Sequence, residues 1–247
     1  MSVQSAFAEL ARRDERAALV TAVGGAHAGG RLLVRAGGGH EGTLGDAALD
    51  AEAIAHADEL MWAERSEVRG DLFIDVTAPA PRVLIFGAVE YASHLSGLAR
   101  AIGWRSYVID PRARFATHER FPDAIDVIAA WPASAVEQLG GLDRATYLAV
   151  LTHDPKIDDE VLKLALRGEP AYIGAMGSRR AQAERRERLL ASGVAEDDLA
   201  RISAPVGLDL GAVSAEEVAL SIMAELVAVR HGRDGGRLSQ RRGERIH

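Results

Sequence analysis

From residue 82 onward the chain alternates short apolar runs with amphipathic stretches, and this rhythm constrains its fold more than any other feature. Arg82–Phe86 (RVLIF) is continuously apolar after its first residue, as expected of a parallel strand covered on both faces. Tyr91–Ile102 has helical periodicity and stops at Gly103. Ser106–Ile109 reads as the next strand, ending at Asp110-Pro111, and Val127-Ile128 as a short third. A short helix over Ser134–Leu139 precedes a fourth strand, Thr146–Leu151 (TYLAVL). A helix over Asp158–Arg167, a fifth strand at Ala171–Ile173 and a charged helix over Ser178–Ala191 follow. Ser214–Arg230 is a long helix with Ser214 and Glu217 in capping-box register. Strands and helices in this order predict an α/β fold: a doubly wound parallel sheet with the Val83 strand at its centre.

The first 78 residues follow a different pattern. Ser5–Arg16 spaces Phe7, Leu10 and Ala11 as an amphipathic helix does. Ala18–Val23 and Arg31–Ala36 read as strands around a glycine-rich turn, and Gly37-Gly38-Gly39 marks another turn. Ala47–Arg65 is a second helix and Leu72–Val76 a short strand. The expected organisation is a small α+β domain over 1–78, a linker at Ala78-Pro79-Ala80-Pro81, a Rossmann-like domain over 82–231 and a disordered, Gly- and Arg-rich tail over 232–247.

Composition narrows the chemistry. The 247 residues contain no cysteine, which excludes disulfides, thiolate metal sites and a cysteine nucleophile. A net charge of −7 disfavours wholesale binding to nucleic acid. No apolar run approaches the ~18 residues that span a bilayer. The N-terminus, with Glu9, Asp14 and Glu15 among its arginines, does not read as a secretory signal, so a cytoplasmic location is expected.

Ligands of open parallel sheets gather at the carboxyl ends of the strands. The turn after the first strand runs Gly87-Ala88-Val89-Glu90-Tyr91-Ala92 and keeps only one glycine of a dinucleotide fingerprint. Asp110 stands where an acid can hold a ribose hydroxyl; Arg112 and Arg114 beside it can instead hold a phosphate or carboxylate, or simply be solvated. Thr152, His153 and Asp154 begin as the fourth strand ends. His153 and Asp154 are candidates for proton transfer, and His153 alternatively for metal ligation, although Asp154 or Asp158 can equally cap the following helix. Gly174-Ala175-Met176-Gly177-Ser178-Arg179-Arg180 joins the fifth strand to a helix, and a glycine turn on a helix N-terminus beside two guanidiniums suits an anion. The arginines beyond that first turn, Arg185 among them, read as a solvated face. Asp209, in the loop Pro205–Gly211, either reaches the crevice or satisfies loop amides. No metal site is expected.

Together these segments resemble the C-terminal domain of the xanthine dehydrogenase accessory (XdhC/CoxI) family. The matching stretches are Asp110-Pro-Arg112 with Phe115, Glu119-Arg-Phe-Pro122, Thr152-His-Asp154 with Asp158, Tyr172-Ile-Gly-Ala-Met-Gly-Ser-Arg179, Pro205-Val-Gly-Leu-Asp209, Ala215-Glu-Glu-Val-Ala219 and Ala224-Glu-Leu226. The resemblance implies a Rossmann-like domain in an accessory factor or chaperone that binds the molybdenum cofactor (molybdopterin, in mononucleotide or dinucleotide form). Such a factor assists maturation or insertion of the cofactor into xanthine or carbon monoxide dehydrogenase-type hydroxylases. The implied partners are the apo-hydroxylase, a sulfurtransferase and a second copy of the chain, and the implied seat of the cofactor's phosphate is Gly177-Ser178-Arg179. Two departures stand out: Val89 replaces the second glycine of the family's usual Gly-Ala-Gly turn, and the cysteines of the family's N-terminal domain are absent. An NAD(P)-dependent oxidoreductase and an inert interaction module are the competing readings.

Overall fold

The computed structural model describes residues 2–240, and these divide after Ala80 into two compact units. The first unit opens with helix α1 (Val3–Arg12), capped by Ser2, whose hydroxyl accepts from the Ser5 amide. Strands β1 (Ala17–Ala22), β2 (Arg31–Arg35), β3 (His40–Thr43), β4 (Glu67–Arg69) and β5 (Leu72–Thr77) form an antiparallel sheet in the order β3-β2-β1-β5-β4. Helix α2 (Ala47–Ala63) covers one face, and Val20, Leu32, Leu60, Met61 and Ile74 are fully buried between them. The first helix is shorter than its periodicity predicts. Asp14 takes a left-handed backbone (φ 58°) and breaks it, and Arg16 turns inward to donate to the Met61 carbonyl and pair with Glu64 at 2.9 Å.

The second unit contains β6 (Arg82–Phe86), α3 (Glu90–Ala101), β7 (Arg105–Ile109), β8 (Asp126–Ile128), α4 (Pro132–Gln138), β9 (Thr146–Val150), α5 (Pro155–Arg167), β10 (Tyr172–Ala175), α6 (Arg179–Ala191), α7 (Glu196–Leu199), β11 (Ile202–Ser203) and α8 (Ala215–Arg230). Its sheet is parallel throughout, in the order β11-β10-β9-β6-β7-β8. Strand β6 is central, between β7 and β9, and the strand order reverses there, which makes the carboxyl ends of β6 and β9 the topological switch point.

The period-two geometry of a strand explains why RVLIF is apolar without a gap. Val83 and Ile85 enter one core with Leu95 of α3 and Ile222 and Leu226 of α8, whereas Leu84 and Phe86 enter the other with Val161 and Leu162 of α5. The capping box of α8 is formed, with the Glu217 amide donating to Ser214 and the Ser214 amide to Glu217.

Two boundaries and two added elements differ from expectation in ways that bear on the site. Helix α5 begins at Pro155 with Asp154 as its cap, so Asp158 lies inside the helix and is buried. Strand β10 runs on to Ala175, so Gly174 belongs to the buried sheet and not to the turn after it. Strand β11 and helix α7 add to the expected elements; the strand has two residues and only Gly174 and Ile173 of β10 to pair with. Of the tail, Leu238–Gln240 forms a single 3-10 turn and residues 231–240 are exposed, while 241–247 lie outside the described residues.

Candidate functional site

The carboxyl ends of β6, β7, β9 and β10 bring four of the five candidate segments to one edge of the parallel sheet. At the first, Gly87 has φ 118°, and a Cβ there would lie 2.9 Å from Thr152 Cγ2. Glycine is therefore required by backbone conformation and by close packing against the β9 end. The turn's own amides are spent internally. Gly87 donates to the Ile109 carbonyl at 2.8 Å, Ala88 to Asp110 Oδ2 at 2.9 Å and Val89 to the Gly87 carbonyl at 2.9 Å. A pyrophosphate needs such amides free, and Glu90 adds a negative charge at the helix start. This turn therefore fits a nicotinamide dinucleotide poorly.

Asp110 is wholly buried and fully occupied. Oδ1 accepts from the Arg112 amide and Nε at 2.9 Å each; Oδ2 accepts from Arg112 Nη2 at 2.8 Å as well as from Ala88. Burial pushes its pKa up, but the hydrogen bonds from the Arg112 side chain and from the Ala88 and Arg112 amides prevail and hold it below the usual aspartate value. Arg112 is raised in turn by its bonds to Asp110, with Asp154 contributing from the β9 end, so its guanidinium lies in the field of both acids at the switch point.

At the end of β9, Thr152 is buried; its hydroxyl donates to Asp158 Oδ1 at 2.6 Å and accepts from the Asp154 amide at 3.0 Å. Asp154 caps α5 by accepting from the Lys156 amide at 3.0 Å. His153 is exposed beside them. Of this trio, Thr152 and Asp154 therefore have structural partners, and His153 is the side chain left open to solvent.

After β10, Gly177 has φ 136° and Ser178 caps α6, its hydroxyl accepting from the Ala181 amide at 3.3 Å. Among the described residues no acceptor faces the amides of Gly177, Ser178, Arg179 or Arg180, so the start of α6 presents free donors together with the positive end of the helix dipole. The two arginines are not equivalent. Arg180 is paired with Glu184 at 2.8 Å on the surface, whereas Arg179 has no such partner among the described residues. Gly174 stands apart from this group. A Cβ there would meet Tyr172 Cε1 and Val206 Cγ2, each at 2.5 Å, so its small size serves packing in the sheet.

The fifth segment approaches from the last crossover. The Val206 amide donates to the Ala175 carbonyl at 3.1 Å and the Gly207 amide to Glu225 at 2.5 Å; Glu225 also accepts from the Tyr172 hydroxyl. Burial, then the bond to Glu225, keeps that hydroxyl protonated well above the usual tyrosine range. Asp209 is exposed beyond this anchored stretch.

The residue that sequence reasoning missed is Arg185, which is buried and not part of a solvated face. Its Nη2 pairs with Asp158 at 2.8 Å and donates to the Met176 carbonyl at 3.0 Å, and its Nη1 donates to Gln182 at 2.6 Å. The chain Thr152–Asp158–Arg185–Met176 thus ties the loop after β9 to the loop after β10. A signal existed: Gln182, Arg185 and Leu189 share one helix face by their spacing, and Leu189 is the helix's buried apolar residue. Among the described residues no cluster of three or more His, Asp or Glu side chains is arranged to hold a metal ion, and no helix is long and apolar enough to cross a membrane.

Comparison with known proteins places this edge in a family. Residues 83–226 match the model of the XdhC Rossmann domain. The chain is 32% identical over 152 residues to the molybdenum cofactor insertion chaperone PaoD of Escherichia coli K12, covering 62% of this chain and 41% of PaoD. It is 29% identical over 192 residues to a probable xanthine dehydrogenase subunit of Bacillus subtilis 168, covering 78% and 55%, and 25% identical over 225 residues to the E. coli protein YqeB, covering 83% and 41%. The chain therefore spans about half the length of these relatives. The crystal structure of a xanthine dehydrogenase (BH1974) from Bacillus halodurans superposes with a TM-score of 0.63 at 24% identity, covering 91% of this chain and 65% of that one, and so shares the fold. Since the family model covers more than half of the residues, the chain belongs to the XdhC family.

Proposed function

We propose that the protein is an accessory factor that binds the molybdenum cofactor and assists its maturation or its insertion into a molybdenum hydroxylase of the xanthine or carbon monoxide dehydrogenase type. The observation that carries this reading is the start of α6. Four amides without acceptors among the described residues stand at the serine-capped start of this helix, beside the exposed Arg179, at the carboxyl edge of the parallel sheet and next to the switch point. This arrangement fits the phosphate of a phosphorylated pterin, which is a dianion and needs several donors. Family membership supports the same reading, as does a relative named as a chaperone for inserting this cofactor.

In this role the cofactor is cargo. Gly177, Ser178 and Arg179 would grip its phosphate, and the Arg185–Asp158 brace would hold the gripping loop in place. Thr152 and Asp154 shape the adjoining wall, and the exposed His153 is the group available for proton exchange beside the bound ligand. The acceptor of the cargo is an apo-hydroxylase.

The test is Arg179→Ala, with the molybdenum cofactor as ligand and affinity read by fluorescence titration. A charge-assisted contact is typically worth ~1.5–3 kcal/mol, so affinity should fall at least about tenfold. The melting temperature should stay unchanged, because Arg179 has no structural partner among the described residues. Unaltered affinity in a folded variant would remove the phosphate site and the reading built on it.

A further inference from the structure

We propose that Arg112, Arg114 and Arg120, gathered around Phe115 beyond the end of β7, form a second anion site that selects a terminal phosphate monoester, with Asp110 as the residue that positions it. The three guanidinium carbons lie 5.0, 4.5 and 5.7 Å from the centre of one phenyl ring. Like charges held this close repel, and the ring's quadrupole offsets only part of that repulsion. Their compensation by acids is incomplete. Arg112 is paired with Asp110, Arg120 donates only to the Phe115 carbonyl, and Arg114 has no acidic partner among the described residues. The nearby acids are engaged elsewhere: Asp123 with Arg100 at 2.6 Å, Asp126 facing His118 at 3.3 Å, and Glu119 with its own amide and Thr117. Arg114 and Arg120 therefore present guanidinium hydrogens that no acid among the described residues takes up and that an external anion would satisfy.

The state of Asp110 decides which anion. An acid at the end of the second strand ordinarily holds a ribose diol, while an arginine there accommodates a sugar phosphate. Asp110 is 0% exposed and already accepts four hydrogen bonds, so it has nothing to offer a hydroxyl. It uses that capacity to lock Arg112 by Nε and Nη2, leaving Nη1 of a side chain that is 43% exposed without a partner among the described residues. A monoester presents three oxygens and two negative charges to three guanidiniums, whereas a diester presents two oxygens and one charge. The site thus favours the monoester. It uses none of the residues at the start of α6, and it stands whether or not the cargo reading is correct.

A nucleoside 2′-monophosphate carries this chemistry without the diphosphate for which the Gly87 turn has no free amides. The full chain would be titrated calorimetrically with adenosine 2′-monophosphate against adenosine. We expect the monoester to bind ten times or more tighter than the unphosphorylated nucleoside. Arg114→Ala/Arg120→Ala, which alters only exposed side chains, should abolish that preference, and its fold is checked by circular dichroism. Arg179→Ala should retain it. No preference, or a preference that survives in the folded Arg114→Ala/Arg120→Ala variant, would overturn the proposal; loss of the preference in Arg179→Ala alone would assign it to the α6 start instead.

Discussion

Replacing Arg185 by Met tests whether the two loops of the candidate site are held together by a buried charge. The Arg185 and Asp158 side chains are 6% and 4% exposed, and their contact is 2.8 Å. Methionine preserves the hydrophobic stem of the side chain but leaves the Asp158 carboxylate with only the Thr152 hydroxyl as donor, and frees the Met176 carbonyl and Gln182. Removing one partner of a buried ion pair costs about 3–5 kcal/mol, because the remaining charge is desolvated without compensation. For a domain of this size each kcal/mol lowers the melting temperature by about 2–4 °C, so the variant should melt about 6–20 °C lower. Thermal unfolding followed by circular dichroism measures this directly. Adding Asp158→Asn to the same chain removes the stranded charge and should recover about 1–3 kcal/mol, the coupling typical of residues in one network. The loop after β10 loses its brace in both variants, so on the proposed reading any affinity for the cofactor should remain weakened even where stability returns. If Arg185→Met cost less than about 0.5 kcal/mol, as exposed substitutions do, Asp158 would have to be solvated and the brace would not exist.

Acid stability should report on Asp110. Its folded pKa lies below the unfolded value, so the stability it contributes is complete above about pH 4, the unfolded aspartate value, and is lost as pH falls through the folded pKa. Asp110→Asn should therefore flatten the decline in stability below about pH 4 in urea titrations at stepped pH; an unchanged slope would contradict the hydrogen-bond arrangement. Ile85→Ala or Leu148→Ala, at fully buried positions on opposite faces of the central strands, should each cost ~2–5 kcal/mol by chemical denaturation. Gly174→Ala places a methyl against Tyr172 and Val206 and should cost about 1–3 kcal/mol by the same measurement. A neutral Gly174→Ala would return that glycine to the turn.

Local pattern was enough wherever one element's own residues decide its state. RVLIF had to be a doubly covered strand because no residue after Arg82 in it tolerates water, and the structure buries all four between two helical layers. Ser214 and Glu217 named the start of α8, and Gly177 with Ser178 the start of α6, because capping is a matter of residues within one turn of each other. Strands β3 and β4 are not legible in the sequence because HEGT and EVR are short, polar and at sheet edges, where pairing with a neighbour supplies the order that their own side chains do not. Two-residue β11 exists only as a partner of β10.

The site shows the same division. Its location at the strand ends was legible because chain order predicts a parallel sheet, and such sheets gather ligands there. What each charged residue does was not. Arg185 and Asp158 are 27 residues apart in the chain, on different helices; the spacing of Arg185 with Leu189 hints at a shared buried face, but nothing near either residue names its partner. Asp110 has the position of a ribose ligand, yet the Ala88 amide, brought to it from the turn after the neighbouring strand, completes its coordination and closes it. Sequence periodicity records which faces avoid water, since that preference belongs to each residue alone. Which polar groups meet, and which are left free for a ligand, is settled only when separate elements pack, because a hydrogen bond needs both partners in place within about 3 Å.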